Sequence, residues 1–253
     1  DRGTEETLRV RFHPPGGIHP SLRDAFGRPV YSGRGNIPGR SYNLDAPSAA
    51  LAPTETALTH YMHGLSVKSH TGGVFDWELA ASLYDYDEDT LRAPTTALPA
   101  ALNGGAGRIV NMAGTGWNTF SAKGIWRPEA AHVAEFGYQR EAYRLASIEN
   151  ATADWLGGAP AARNQAFSGR TETQALWAQD TWRFAPDWKT VLGLRLEHWR
   201  AHEGRTSNAA TTVAHGERSG TWVSPKAAVA WQAAPSWVLK ALGRRGGGVA
   251  AAL

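Results

Sequence analysis

The side chains able to do chemistry are few, and their spacing works against most of what they might do together. His60 and His63 in "HYMH" have a spacing that brings two imidazoles together on a helix, where they can hold a metal. On a strand, residues three apart face opposite sides, and no carboxylate or third ligand completes the set. Asp76 and Glu78 share one face of a strand, at a separation that a glycosidase's paired carboxylates use. A solvated polar wall explains them better, because apolar residues alternate with them. Glu197 and His198 are adjacent and point apart, so they form no acid–base pair. "GRGNIPG" at 33–39 is rich in glycine but lacks the strand-then-helix setting of a phosphate cradle, and reads as a loop. "NAT" at 150–152 is a glycosylation sequon in form only. No nucleophile elbow is present. The chain is read as no enzyme, with no cofactor and no metal site.

The elements that position these residues are strands. In "VFDWELAASLY", Phe75, Trp77, Leu79, Ala81 and Leu83 fall on one face, and Asp76, Glu78, Ala80, Ser82 and Tyr84 on the other. "NTFSAKGIW" sets Phe120, Ala122, Gly124 and Trp126 against Thr119, Ser121 and Lys123. Ala134, Phe136 and Tyr138 oppose Glu135, Gly137, Gln139 and Glu141. Leu192, Leu194 and Leu196 oppose Gly193, Arg195 and Glu197, and Ala227, Val229 and Trp231 oppose Lys226 and Gln232. Period-2 alternation of this kind marks half-buried strands. Between the runs the connectors alternate in length: 70–73, 128–131, 185–187 and 233–236 are short, while 87–115, 146–171 and 202–220 are long. An opening strand near 5–12 followed by a long loop at 13–54 keeps the phase. The expectation is an all-β, antiparallel up-and-down meander of about nine strands, with short turns at one end and long loops at the other. That asymmetry is the pattern of a transmembrane β-barrel.

Composition agrees. Only 42% of residues are hydrophobic and mean hydropathy is −0.39. No apolar run approaches the ~20 residues of a spanning helix, but a barrel strand needs only every second residue to face lipid. The absence of cysteine decides little. A net charge of +3 with dispersed Lys and Arg gives no support for nucleic acid as a partner. Tryptophan placement carries more. Trp126 precedes one short turn, Trp182 and Trp188 flank the next, and Trp231 and Trp237 flank the last. Indole rings collect at headgroup depth because the body is apolar and the N–H is polar, so these five are read as an aromatic girdle in outer-membrane lipid. Asp76, Glu78, Gly193, Arg195 and Glu197 are read as lumen-facing. Ligand contacts are expected from the long loops, at Trp155, Phe167, Tyr31 and Tyr42.

The stretch 169–244 also resembles a known family. Trp177, Gln179 and Asp180 form an aromatic–x–Gln–Asp strand, Gly193, Arg195 and Glu197 a Gly-x-Arg-x-Glu strand, and Ser224, Pro225 and Lys226 a Ser-Pro-Lys strand start. In that order they resemble the barrel of TonB-dependent outer-membrane receptors. The resemblance implies a partial transmembrane β-barrel cut from a larger one of about 22 strands, whose lumen a plug domain fills. It implies location in the bacterial outer membrane, and import of a scarce nutrient such as a ferric siderophore, haem or cobalamin, with energy passed on by the TonB complex. Against that pattern the chain shows no plug and no TonB box, and it lacks a last strand ending in an aromatic residue. Residues 1–243 are therefore read as a barrel piece and 244–253 ("RRGGGVAAAL") as a low-complexity tail. Two other readings stay open: a passive porin-type barrel, and a soluble β-rich glycan-binding domain with tryptophans stacking on sugars.

Overall fold

The computed structural model describes residues 53–98 and 100–243 in full, and the backbone alone of 22–23, 29–30, 34–37, 40–43 and 244. The expected opening strand at 5–12, Tyr31, the side chain of Tyr42 and the tail 245–253 lie outside the described residues. Within the expected loop at 13–54 stand two small ladders, β1 (Leu22–Arg23) with β2 (Pro29–Val30) and β3 (Arg34–Ile37) with β4 (Arg40–Asn43). Arg34–Ile37 of the glycine-rich "GRGNIPG" thus form one arm of an antiparallel pair.

The remaining strands build one antiparallel sheet. They are β5 (Glu55–Lys68), β6 (Phe75–Pro94), β7 (Gly107–Asn111), β8 (Gly116–Trp126), β9 (His132–Thr152), β10 (Arg163–Ala185), β11 (Trp188–Asn208), β12 (Thr212–Ala214), β13 (Arg218–Ala234) and β14 (Trp237–Arg244). Successive strands pair as an up-and-down meander requires, except that β12 pairs only with β11, so that β11 pairs onward with β13, and that β7 and β8 do not pair with each other. β7 and β8 share one place between β6 and β9. β7 pairs with the far ends of both, and β8 with the halves nearer the short turns. The chain leaves the ladder between them at Met112–Thr115. There Thr115, fully buried, donates to Ala146 O at 2.8 Å and accepts from Ala146 N at 3.0 Å, so the excursion leaves no backbone group of Ala146 orphaned. Gly114 supplies the φ of 82° that the turn back needs.

Much of what reads in sequence as long connectors is strand. β6 continues to Pro94, β9 to Thr152 and β11 to Asn208, and β10 begins at Arg163. The reason is physical. In these outer halves polar residues stand on both faces among the apolar ones, so hydrophobic alternation disappears, while the backbone ladder that makes the strand needs no apolar side chain. β9, β10 and β11 run to 21, 23 and 21 residues, about twice the 9–11 that cross a hydrocarbon layer.

Register fixes the faces. One row across the sheet reads Val67, Leu79, Ala122, Tyr138, Leu176, Leu196, Val223. The next row, on the opposite face, reads Lys68, Glu78, Lys123, Gly137, Trp177, Arg195, Ser224. The alternation seen strand by strand is therefore coherent across seven strand positions. The apolar face is bare, with Leu176, Leu192, Leu194 and Val223 each more than half exposed. Few apolar residues are buried, among them Ala93, Ala101, Ile109, Trp155 and Ala175. A contiguous apolar surface of this extent on a soluble monomer is unusual. The register also carries a stagger. Phe75, the first residue of β6, lies level with Trp126, Ala134, Asp180, Leu192 and Ala227, and the last of these sits well inside its strand. Strands of a barrel are offset in this manner because they tilt against its axis.

Candidate functional site

The polar face is an ordered surface, and the pairing register dictates its contacts. Lys123, on β8, lies 3.6 Å from Glu78 on β6 and 3.1 Å from Glu135 on β9. Glu135 also accepts from the Gln179 amide on β10, and Gln179 Oε1 accepts from Lys226 Nζ on β13 at 3.3 Å. One continuous chain of polar contacts thus crosses five strands. On the next level Arg195 donates to Gln139 Oε1 at 2.6 Å and to Glu197 Oε2 at 3.0 Å. Glycines let large side chains lie flat across this face. A Cβ on Gly137 would stand 2.8 Å from the Trp177 ring, and one on Gly193 would stand 3.1 Å from Gln179 Cβ. The pairs are partly exposed, so each contributes at most about 1 kcal/mol. Their value lies in holding long side chains in a fixed pattern.

Asp76 and Glu78 do not act as a pair. Asp76 is 2% exposed and takes hydrogen bonds from Thr71 N at 2.8 Å, Ser69 Oγ at 3.0 Å and Arg127 Nη1 at 2.8 Å. It fastens the first short turn to the start of the second. The expectation of a solvated carboxylate is corrected for Asp76, since it is buried, with Oδ1 accepting from the turn and Oδ2 from Arg127. Glu78 belongs to the Lys123 chain instead. Gly193, Arg195 and Glu197 lie on the same face as both. Of the motif residues, Trp177 and Gln179 are on the polar face. Asp180 is on the apolar face near the short turns, where His132 Nδ1 lies 2.8 Å from its Oδ2; its Oδ1 is buried and has no partner among the described residues. His132 stacks on Trp182 at 5.6 Å. From there rings continue along the same edge: Trp182 to Phe184, Phe184 to Trp188, and Trp188 stacked on Trp231 at 5.4 Å. Trp126 opens the same end on β8, paired with Phe75, and Trp237 stands opposite Ala234 at the last turn.

Beyond the apolar belt the polar face carries a cluster that the sequence reading passed over. His60 Nε2 lies 3.1 Å from Asp89 Oδ2 and its Nδ1 lies 3.0 Å from Tyr84 Oη. A carboxylate does therefore join His60, although no third metal-ligating side chain converges there among the described residues. His60 stacks on Tyr86 at 3.9 Å, Tyr84 stacks on Trp117 at 4.3 Å, and Tyr143 stands next to Trp117 in register. Trp117 and Tyr143 keep 39% and 38% of their surface open, so the cluster offers aromatic area to whatever occupies that side. The available signal was the i, i+2 pair Tyr84 and Tyr86 in "YDYDED", which puts two rings on one face.

Two of the expected loop contacts change character. Trp155 is 1% exposed, and its Nε1 donates to Ala101 O at 2.8 Å. It pins the segment between β6 and β7 and has no surface to offer a ligand. Phe167 lies within β10 and is 40% exposed.

Comparison with known families gives a match that covers nearly the whole chain. The model of the TonB dependent receptor-like beta-barrel matches residues 10–245. No curated protein matches the chain.

Proposed function

The chain belongs to the TonB-dependent receptor β-barrel family, and from that premise we propose that it forms an arc of barrel wall in the bacterial outer membrane. In this reading the apolar face meets lipid, and Trp126, Trp182, Trp188, Trp231 and Trp237 form the girdle at the short-turn, periplasmic side. The polar face lines the lumen, so that Asp76, Glu78, Gly193, Arg195 and Glu197 face inward. Its charged pattern contacts a plug domain, through which the TonB complex supplies energy. The cargo is a scarce nutrient such as a ferric siderophore, haem or cobalamin. What supports the reading most is the coherence of the two rows. Seven successive strand positions place apolar residues on one face and Lys, Glu, Arg, Ser, Gly or Trp on the other, a division that a lipid-facing wall needs and a loop-borne site does not. The aromatic cluster of Tyr84, Trp117 and Tyr143 is the surface proposed to touch cargo.

The test is binding of radiolabelled ferric siderophores, haem and cobalamin to outer-membrane fractions that carry the protein. One class is expected to bind, and Trp117→Ala is expected to weaken it at least tenfold. Absence of binding by every class, in membranes where the protein is inserted, would remove the importer reading and leave a passive barrel.

A further inference from the structure

One carboxylate on the polar face has no work in the fold. Glu141, on β9, is exposed and makes no hydrogen bond or ion pair among the described residues. Its row across the sheet reads Gly64, Ser82, Thr119, Glu141, Thr173, Trp199. Between the glycine and the tryptophan every other side chain is a small hydroxyl, and Ser82 and Thr119 bond to each other at 2.6 Å. The Glu141 carboxylate therefore stands above a low floor. Cations of the neighbourhood are engaged elsewhere. Arg140 points to the other face and is held by Glu172 and Asn118. Arg195 donates to Gln139 and Glu197, and Lys123 lies between Glu78 and Glu135.

The next row toward the long ends of the strands supplies rings. It reads Met62, Tyr84, Trp117, Tyr143, Thr171, Ala201. Tyr143 is thus two residues from Glu141 on one strand face, and Trp117 stands diagonal to it. Tyr84 stacks on Trp117 at 4.3 Å with the planes 6° apart, and Tyr86 meets Trp117 edge-on at 6.5 Å. These contacts hold the indole in place, while Trp117 and Tyr143 both stay open. The same row ends in a cation, Arg218 on β13. That is four strand spacings from Trp117, about 19 Å at the ~4.8 Å between paired strands.

Ring faces carry partial negative charge and attract cations, and the carboxylate beside them adds a full one. A hard metal ion takes about six oxygen ligands, which a lone carboxylate does not supply. An alkylammonium group is matched by ring faces and one carboxylate. We propose that Glu141, with Trp117 and Tyr143, forms a subsite for an organic ammonium group carried by the cargo. The inference rests on the importer reading above and narrows it, since cargo that presents carboxylates to this row meets like charge. It also accounts for a carboxylate that no residue of the fold uses.

The experiment is equilibrium dialysis of the protein, extracted from outer membranes in a maltoside detergent, against two radiolabelled probes of opposite charge. They are benzyltrimethylammonium and benzenesulfonate. The cation is expected to bind at least tenfold more tightly than the anion. Glu141→Gln and Trp117→Leu should each weaken the cation at least fivefold. Glu129→Gln, which removes the same charge at a short turn, should leave its binding unchanged. Heat-modifiable migration on gels confirms that each variant is folded. Equal binding of the two probes, no binding of either, or a folded Glu141→Gln that holds the cation as well as the unchanged protein would overturn the proposal. So would an equal loss in Glu129→Gln, which would reduce the effect to net charge. None of these results touches the importer reading, which falls only if every cargo class fails to bind in the membrane assay above.

Discussion

At the scale of single residues, the two faces give opposite tolerance to the same change. Leu194 sits in the middle of the apolar row with Phe136 and Ala178 on its level. Leu194→Arg should cost about 2–4 kcal/mol if that face meets lipid at mid-depth. Glu141→Arg, at an exposed position on the polar face, should fall within about 0.5 kcal/mol. Urea titration of the inserted protein, followed by tryptophan emission, separates the two. Gly137 is a different case. Its Cβ position is filled by the Trp177 ring and by Ala122 O at 2.6 Å, so Gly137→Leu should destabilise by about 1–3 kcal/mol through overpacking. Trp155→Phe removes the donor to the buried carbonyl of Ala101 and should cost about 1–3 kcal/mol, read as faster proteolysis between 95 and 106. Trp155 also shows what sequence could not convey. A tryptophan in a loop looks available, but only the fold reveals that the β6–β7 connection closes over it. Arg195 and Glu197 were legible because alternation alone sets their face. The bond from Arg195 to Gln139 was not, since it crosses between strands far apart in sequence.

At the scale of elements, the strands outrun the layer they are proposed to cross. Outward positions on β10 are apolar or aromatic from Leu176 to Phe184, apart from Asp180, and polar from Gln174 to Arg170. The outer half of β10 should therefore stand in water on both faces, and single cysteines at Gln174 and Thr173 should both react with a water-soluble maleimide. The short turns and inner halves were readable from the sequence because there the hydrophobic period and the backbone period coincide. The outer halves were not, because a polar residue on both faces erases the period while the ladder continues. Their stability depends on cross-strand pairs. Arg200 lowers the Glu217 carboxyl below its usual range by a direct hydrogen bond, and this pair joins β11 to the lead-in of β13. A depressed carboxylate stabilises the folded form above its unfolded pKa of about 4.3 and loses that contribution as pH falls through the lower folded value. Amide exchange at 218–220 should accordingly speed up between pH 5 and pH 3 beyond the intrinsic pH dependence, and Glu217→Gln should abolish that excess.

At the scale of the whole molecule, the described sheet has two open sides. β5 and β14 each pair with a single strand among the described residues, and backbone left unpaired is not tolerated in hydrocarbon and recruits other strands in water. The chain on its own in plain buffer is therefore expected to elute from size exclusion as aggregate, whereas a monomeric peak with cooperative unfolding would favour the soluble glycan-binding reading. The central claim, that one face meets lipid and the other water, has a more direct test, and a chain without cysteine suits it. Single cysteines at Leu192, Gly193, Leu194, Arg195, Leu196 and Glu197 are placed in the protein in isolated outer membranes and treated with a charged maleimide. The account predicts strict alternation, with positions 193, 195 and 197 labelled and positions 192, 194 and 196 protected until detergent is added. Uniform labelling of all six, or protection of the odd positions with labelling of the even ones, would contradict it.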